Sequence, residues 1–257
     1  MTASPTPVDM SPARLRLEVL VVMWVSLGAT AVRAALVFIE RLTSGVPLDE
    51  QRASIIAPYT PDRPWLDLAF QVAGILLPLG VVVLVAYLLR SSGESMESIG
   101  VDASQPRRDL GRGALLAAAI GLSGLALYLA AFRFGASVQI AAVTLEGNWW
   151  DIPVLLLAAA ENALLEEIVV LGYVIHRLMQ SGVSARWAVV ISAVVRAFYH
   201  LYQGIGGFVG NLVMGLLFGW LFLRWRRATP MIVAHFLIDA VAFVGYAVLA
   251  DRVDWLP

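Results

Sequence analysis

The acidic pair Glu166-Glu167 lies inside a mostly apolar stretch, Ile152 to Ile175, long enough to cross a lipid bilayer. An ionised side chain near the bilayer centre costs roughly 2.5–3.5 kcal/mol on insertion scales, so two of them need partners or a task. Partners are available further along the chain. Ser192, Arg196 and His200 repeat at intervals of four, and so do His235 and Asp239, so each set shares one helical face. On the first stretch Asn162, Glu166 and Tyr173 fall in one stripe, while Glu167 is turned by about 100° from Glu166 toward other neighbours. Counted from the helix ends, Glu166, His200, His235 and Asp239 can meet near mid-membrane or in its cytoplasmic half.

A carboxylate beside an imidazole suits the activation of water, one taking the proton and the other orienting the nucleophile. A second imidazole and its helical neighbour can stabilise the oxyanion of a tetrahedral intermediate. The reaction class is then hydrolysis of an acyl or peptide bond without a serine or cysteine nucleophile. On this reading no cofactor is expected. Glu166, His200, His235 and Asp239 are also acceptable zinc ligands, although the chain has no H-E-x-x-H run. Asp239 divides the two readings: an ionised aspartate repels an oxyanion, so it must be protonated, paired with His235 or bound to a metal. Asn162, Tyr173, Gln203 and Asn211 border the cluster as candidates for substrate contact or support. His176, beside Arg177, is expected at the interface, and Glu161 is given no chemistry.

The elements that must position these residues follow from composition. Hydrophobic residues make up 60% of the 257 and charged ones 14%, which marks a polytopic membrane protein rather than a soluble domain. All 18 basic residues are arginine, so Schiff-base chemistry and serine–lysine dyads are excluded. Cysteine is absent, and a net charge of −1 gives no basic surface for nucleic acid. Windows of about 20 apolar residues predict an all-α membrane protein of seven transmembrane helices enclosing an intramembrane cavity. They run Leu17 to Ile39, Trp65 to Leu89, Gly113 to Phe132, Ile152 to Ile175, Trp187 to Leu201, Phe208 to Leu223, and Met231 to Leu249. An eighth helix or a re-entrant segment at Ser137 to Leu145 is the alternative. Residues 1–13 are expected to be a disordered cytoplasmic tail and 14–257 a single membrane domain. Gln203 to Gly207 reads as a tight turn that makes the fifth and sixth helices a hairpin. With the amino terminus in the cytoplasm, eleven arginines fall on that side and five on the other, as the positive-inside rule requires.

Three runs then resemble a known family: Glu166-Glu167-Ile168-Val169-Val170-Leu171, Tyr199-His200-Leu201-Tyr202-Gln203-Gly204, and His235-Phe236-Leu237-Ile238-Asp239. In order and spacing they are similar to the E-E-x-x-x-R, F-x-x-x-H and H-x-x-x-N/D motifs of the CAAX protease and bacteriocin-processing (CPBP) family, with the core at 148–250. The resemblance implies a metal-free, glutamic-type intramembrane endopeptidase acting on a membrane-associated peptide or protein. It implies that Glu166 activates water with His200, that His235 and Asp239 form the oxyanion site, and that Glu167 holds the architecture. Two positions depart from the pattern. Leu171 stands where the first motif has arginine, and Arg196 where the second has phenylalanine. Arg196 is therefore expected to supply Glu167 from the next helix with the cation that Leu171 cannot. A noncatalytic scaffold or immunity partner and a proton-coupled transporter are the competing functions. The expected partners are membrane lipid and a peptide substrate, with the oligomeric state left open.

Overall fold

The computed structural model describes residues 10–143 and 147–249. Among them are seven long helices, one at each stretch that the hydropathy windows picked out. Helix α1, Pro12–Thr43, starts where Ser11 Oγ accepts the Arg14 N–H and Pro12 takes the first position, where a missing N–H costs nothing. The helix thus takes in the last two residues of the expected tail. Helix α2, Pro64–Ser91, is interrupted at 77–79, where Pro78 cannot donate to the ladder. Helix α3 is Pro106–Arg133. Helix α4 covers 151–180 in three parts: Asp151–Leu165, a wide π-type stretch Glu166–Tyr173, and Val174–Gln180. Helices α5, α6 and α7 are Ala185–Tyr199, Ile205–Trp225 and Thr229–Leu249.

Five of these, α1, α2, α3, α6 and α7, are long and apolar enough to cross a membrane, and the chain is a multi-pass membrane protein. The other two differ for separate reasons: α4 carries Glu161, Glu166 and Glu167, and α5 has 15 residues. The fold is all-α as expected, with one short strand pair added in the segments between helices. Strands β1, Arg52–Ile56, and β2, Gln139–Val143, pair in parallel, with Arg52 opposite Gln139 and Ile56 opposite Val143. Arg52 to Ile55 alternates polar and apolar residues over four positions only, and Gln139 to Val143 does not alternate, so neither run stands out as a strand in the sequence. Most of the stretch where an eighth helix or a re-entrant segment was an alternative is thus strand; Thr144 and Leu145 lie outside the described residues.

Helix α4 is the central element. From Ile168 to Ile175 its large side chains are at most 2% exposed, which a helix apolar on every side requires. The expected α5–α6 hairpin is present, its turn made by Gly204 at φ +90°. Small residues let these helices touch: a Cβ on Gly215 would lie 2.9 Å from Ala193 Cα, and one on Gly219 2.5 Å from Val189 Cγ1. Polar clamps fix the helix ends. Arg227 Nη2 donates to Asp109 Oδ2 at 2.6 Å and Asp102 Oδ1 at 2.9 Å, and hydrogen bonding from Arg227 and Ser104 holds the Asp102 carboxyl well below the usual carboxylate range. Arg177, 1% exposed, donates to Glu94 Oε2 at 2.6 Å and lies 3.1 Å from Glu18 Oε1, tying α4 to α1 and to the α2–α3 link. At the other end the strand pair and a Ser137–Gly204 bridge join the links between helices.

Candidate active site

The π-type stretch of α4 opens on Glu166 and Glu167. Such stretches insert an extra residue per turn and recur at functional sites. In a regular helix the two carboxylates would diverge, as expected from sequence. Here both reach one guanidinium: Arg196 Nη2 donates to Glu167 Oε1 and lies 3.2 Å from Glu166 Oε2. Glu167 is 0% exposed and Arg196 2%, so the pair is shielded from water and lipid alike. An isolated charge at that depth would be costly, and this pairing offsets part of the penalty.

On α5 the residues spaced by four share a face, as their spacing predicted. Ser192 Oγ donates to the Val170 carbonyl at 2.6 Å, across to the π-type stretch. One turn on comes Arg196, and then His200, the residue that caps the helix. Helix C-termini leave carbonyls without partners, and His200 Nδ1 satisfies that of Arg196 at 3.0 Å. A carbonyl only accepts, so Nδ1 carries the hydrogen. In the neutral ring Nε2 is then a free acceptor, and it lies 3.9 Å from Glu166 Oε1.

His235 on α7 stands between two carboxylates, with Nδ1 2.8 Å from Glu167 Oε1 and Nε2 3.5 Å from Asp239 Oδ2. Asp239 Oδ2 also accepts from Asn162 Nδ2 at 3.1 Å. Asp239 is thus paired with His235, one of the three states open to it. His235 is 4% exposed.

A cavity of about 650 Å³ lies between α1, α2, α4 and α5, with Glu166, His200, Asn162, Tyr199 and Tyr202 in its wall. Its other wall comes from irregular backbone: the π-type turn Trp24–Gly28 of α1 and the 77–79 break of α2. Val25 and Leu77 line it and are also 61% and 77% exposed, so the cavity reaches the lipid-facing surface between α1 and α2. Residues 148–241 match the sequence model of a family described as Rce1-like, type II CAAX prenyl endopeptidase Rce1-like. In this stretch the chain is similar to that family. It contains all three motifs of the CPBP resemblance, and the family is one of membrane proteases. No curated protein and no solved structure matched the chain.

Within residues 148–241, Tyr173 and Asn211 have partners away from the cavity, and Gln203 supports Tyr202 in its wall. Tyr173 donates to Glu18 on α1 and stacks near Arg177, because the π-type stretch rotates everything after it out of the Asn162–Glu166 stripe. Asn211 donates to Gly207 O in its own helix at 3.0 Å, and Gln203 donates to the Tyr202 hydroxyl at 3.0 Å. Conversely, Glu161, which sequence reasoning passed over, is in the cavity wall, as are Tyr199 and Tyr202. Only the apolar surroundings of Glu161 could have flagged it. His176 lies 2.6 Å from Glu94 at the end of α4, away from the cavity.

The zinc alternative can be tested on the donor set. Among the described residues the converging group is Glu166, Glu167 and His235, with one ligand atom each within 4.8 Å of the others. It is not the expected quartet, since His200 and Asp239 are replaced by Glu167. Arg196 already lies against both carboxylates of this group. A dication would have to share them with a guanidinium, so these residues do not fit the metal.

Proposed function

We propose that the protein is an intramembrane endopeptidase in which Glu166 is the general base and His200 holds the attacking water. The observation that carries this reading is the facing pair Glu166 Oε1 and His200 Nε2, 3.9 Å apart in the cavity wall. Both atoms are acceptors. A water molecule has two hydrogens to give them, and its oxygen lone pair is then turned toward the cavity. Arg196 holds Glu166 by its other oxygen, leaving Oε1 free for the proton.

In the reaction the water oxygen forms a bond to the peptide carbonyl carbon as its proton passes to Glu166 Oε1. The tetrahedral oxyanion is met by donors in the same wall, the second amide hydrogen of Asn162 and the hydroxyl of Tyr202. Glu166 then gives its proton to the amide nitrogen as the C–N bond breaks, leaving an amine and a carboxylic acid. This shifts the oxyanion role expected of His235 and Asp239. They act behind the wall: His235 orients Glu167, and Asp239 orients Asn162. The opening between α1 and α2 supports a membrane-associated substrate entering sideways, and the arginine distribution supports a cytoplasmic amino terminus with seven membrane crossings.

A scaffold with the same fold would cleave nothing. Comparing membrane-protein termini in cells that hold the wild type or Glu166→Gln at equal levels separates the two. New termini are expected with the wild type alone; identical sets would overturn the peptidase reading.

A further inference from the structure

A second cavity of about 200 Å³ lies on the far side of the turn that carries Glu161 and Asn162, and both residues line both spaces. Its walls are mixed. Ile75, Val154 and Ala158 supply apolar surface, and Tyr59 and Gln71 supply polar groups. The polar wall is fixed in place, because the buried Asp67 accepts the Thr60 N–H at 2.8 Å, the Tyr59 N–H and a hydrogen from Gln71 Nε2. Gln71 Oε1 is left as an acceptor, as is Asn162 Oδ1, since the amide nitrogen of Asn162 is the group turned to Asp239.

Charge is the unbalanced quantity at this place. Arg196 serves Glu166 and Glu167, and His235 serves Glu167 and Asp239. Glu161 has no cation and no hydrogen-bond donor among the described residues, and the charges that act on it are the carboxylates of Glu166 and Asp239. A lone carboxylate in a cavity at membrane depth is a standing penalty that an arriving cation would relieve.

We infer that the side cavity is a subsite for a basic side chain of the substrate, with Glu161 as its counter-ion. The inference rests on the peptidase reading of the adjoining cavity. An arginine fits by kind: its stem lies along Ile75, Val154 and Ala158, and its planar fork meets the acceptors of Glu161, Asn162 and Gln71. The subsite adjoins Glu166, so the basic residue lies close to the bond that is cut.

The test uses the full chain in lipid nanodiscs and dye-labelled, alkyl-anchored apolar nonapeptides. One set carries a single arginine at each position in turn, and the other has neutral citrulline in its place. Fluorescence anisotropy is expected to show at least one position where arginine binds about tenfold more tightly than citrulline. Glu161→Gln is expected to erase that preference and Glu161→Asp to keep it. Ala158→Phe, which fills the cavity and leaves Glu161 in place, should erase it too. Equal binding of both sets to the wild type, or a preference that survives either Glu161→Gln or Ala158→Phe, would overturn the inference. An arginine preference in a protein that cuts no peptide would count against the peptidase reading alone, whereas cutting without preference would count against the subsite alone.

Discussion

Arg196 on α5 donates to Glu167 on α4, and so brings from a neighbouring helix the cation that α4 itself lacks at Leu171. The same nitrogen lies 3.2 Å from Glu166, so one guanidinium sets the positions of both carboxylates. Leu171, 2% exposed, packs in the apolar core instead. The two departures from the family pattern are in this sense one exchange.

Removing Arg196 leaves two buried carboxylates without their cation. Breaking one partner of a buried pair costs about 3–5 kcal/mol, so Arg196→Leu will lower the thermal midpoint in detergent strongly and with it the yield of folded protein. Adding Leu171→Arg to that variant will restore part of the loss. A double variant no more stable than Arg196→Leu would contradict the exchange.

Asp239 is held as an acceptor by Asn162 and His235. Asparagine keeps an acceptor oxygen at that place, and alanine does not. Asp239→Asn will therefore keep the thermal midpoint close to wild type and most of the activity, while Asp239→Ala frees Asn162 and loses about tenfold or more in kcat. Rate measurements on the two purified variants decide the matter.

At the helix ends, Glu94 links α4 to the α2–α3 connection. Burial pushes its carboxyl up, but His176, Arg177 and Gln180 together outweigh that and hold it down at about 2, against an ordinary 4.5. A carboxyl depressed on folding stabilises the folded form fully above its unfolded value and loses that contribution as pH falls through the folded one. Wild type will thus be more stable than Glu94→Gln at neutral pH, and the gap will close between about pH 4.5 and 2. Thermal midpoints of both proteins across that range provide the check, and a gap that is constant or widens with acid would contradict it.

The helices were legible because lipid-facing segments must be apolar for about 20 residues, and α1, α2, α3, α6 and α7 obey that rule. Glu166, Glu167, His200 and His235 were legible for the opposite reason, as charges and imidazoles where lipid tolerates few. What stayed hidden was backbone geometry. No residue pattern marks the π-type stretch Glu166–Tyr173, yet it turns both glutamates to Arg196 and carries Tyr173 away to Glu18. The strands at 52–56 and 139–143 are short runs in connecting segments, and pairing between distant links leaves little trace in either one. Glu161 was passed over because one turn along a helix says nothing about which side holds a cavity.

In the proposed reaction Glu166 takes the proton of a water held with His200. The most direct test of this step is the turnover number of Glu166→Gln beside wild type, with purified full-length protein, equal folded fractions and a substrate identified from the termini comparison. A general base contributes typically about 10²–10⁴-fold, so a loss of at least about a hundredfold with an unchanged thermal midpoint is expected, and a similar loss for His200→Ala. Glu166→Gln that cuts within about threefold of the wild-type rate would contradict it.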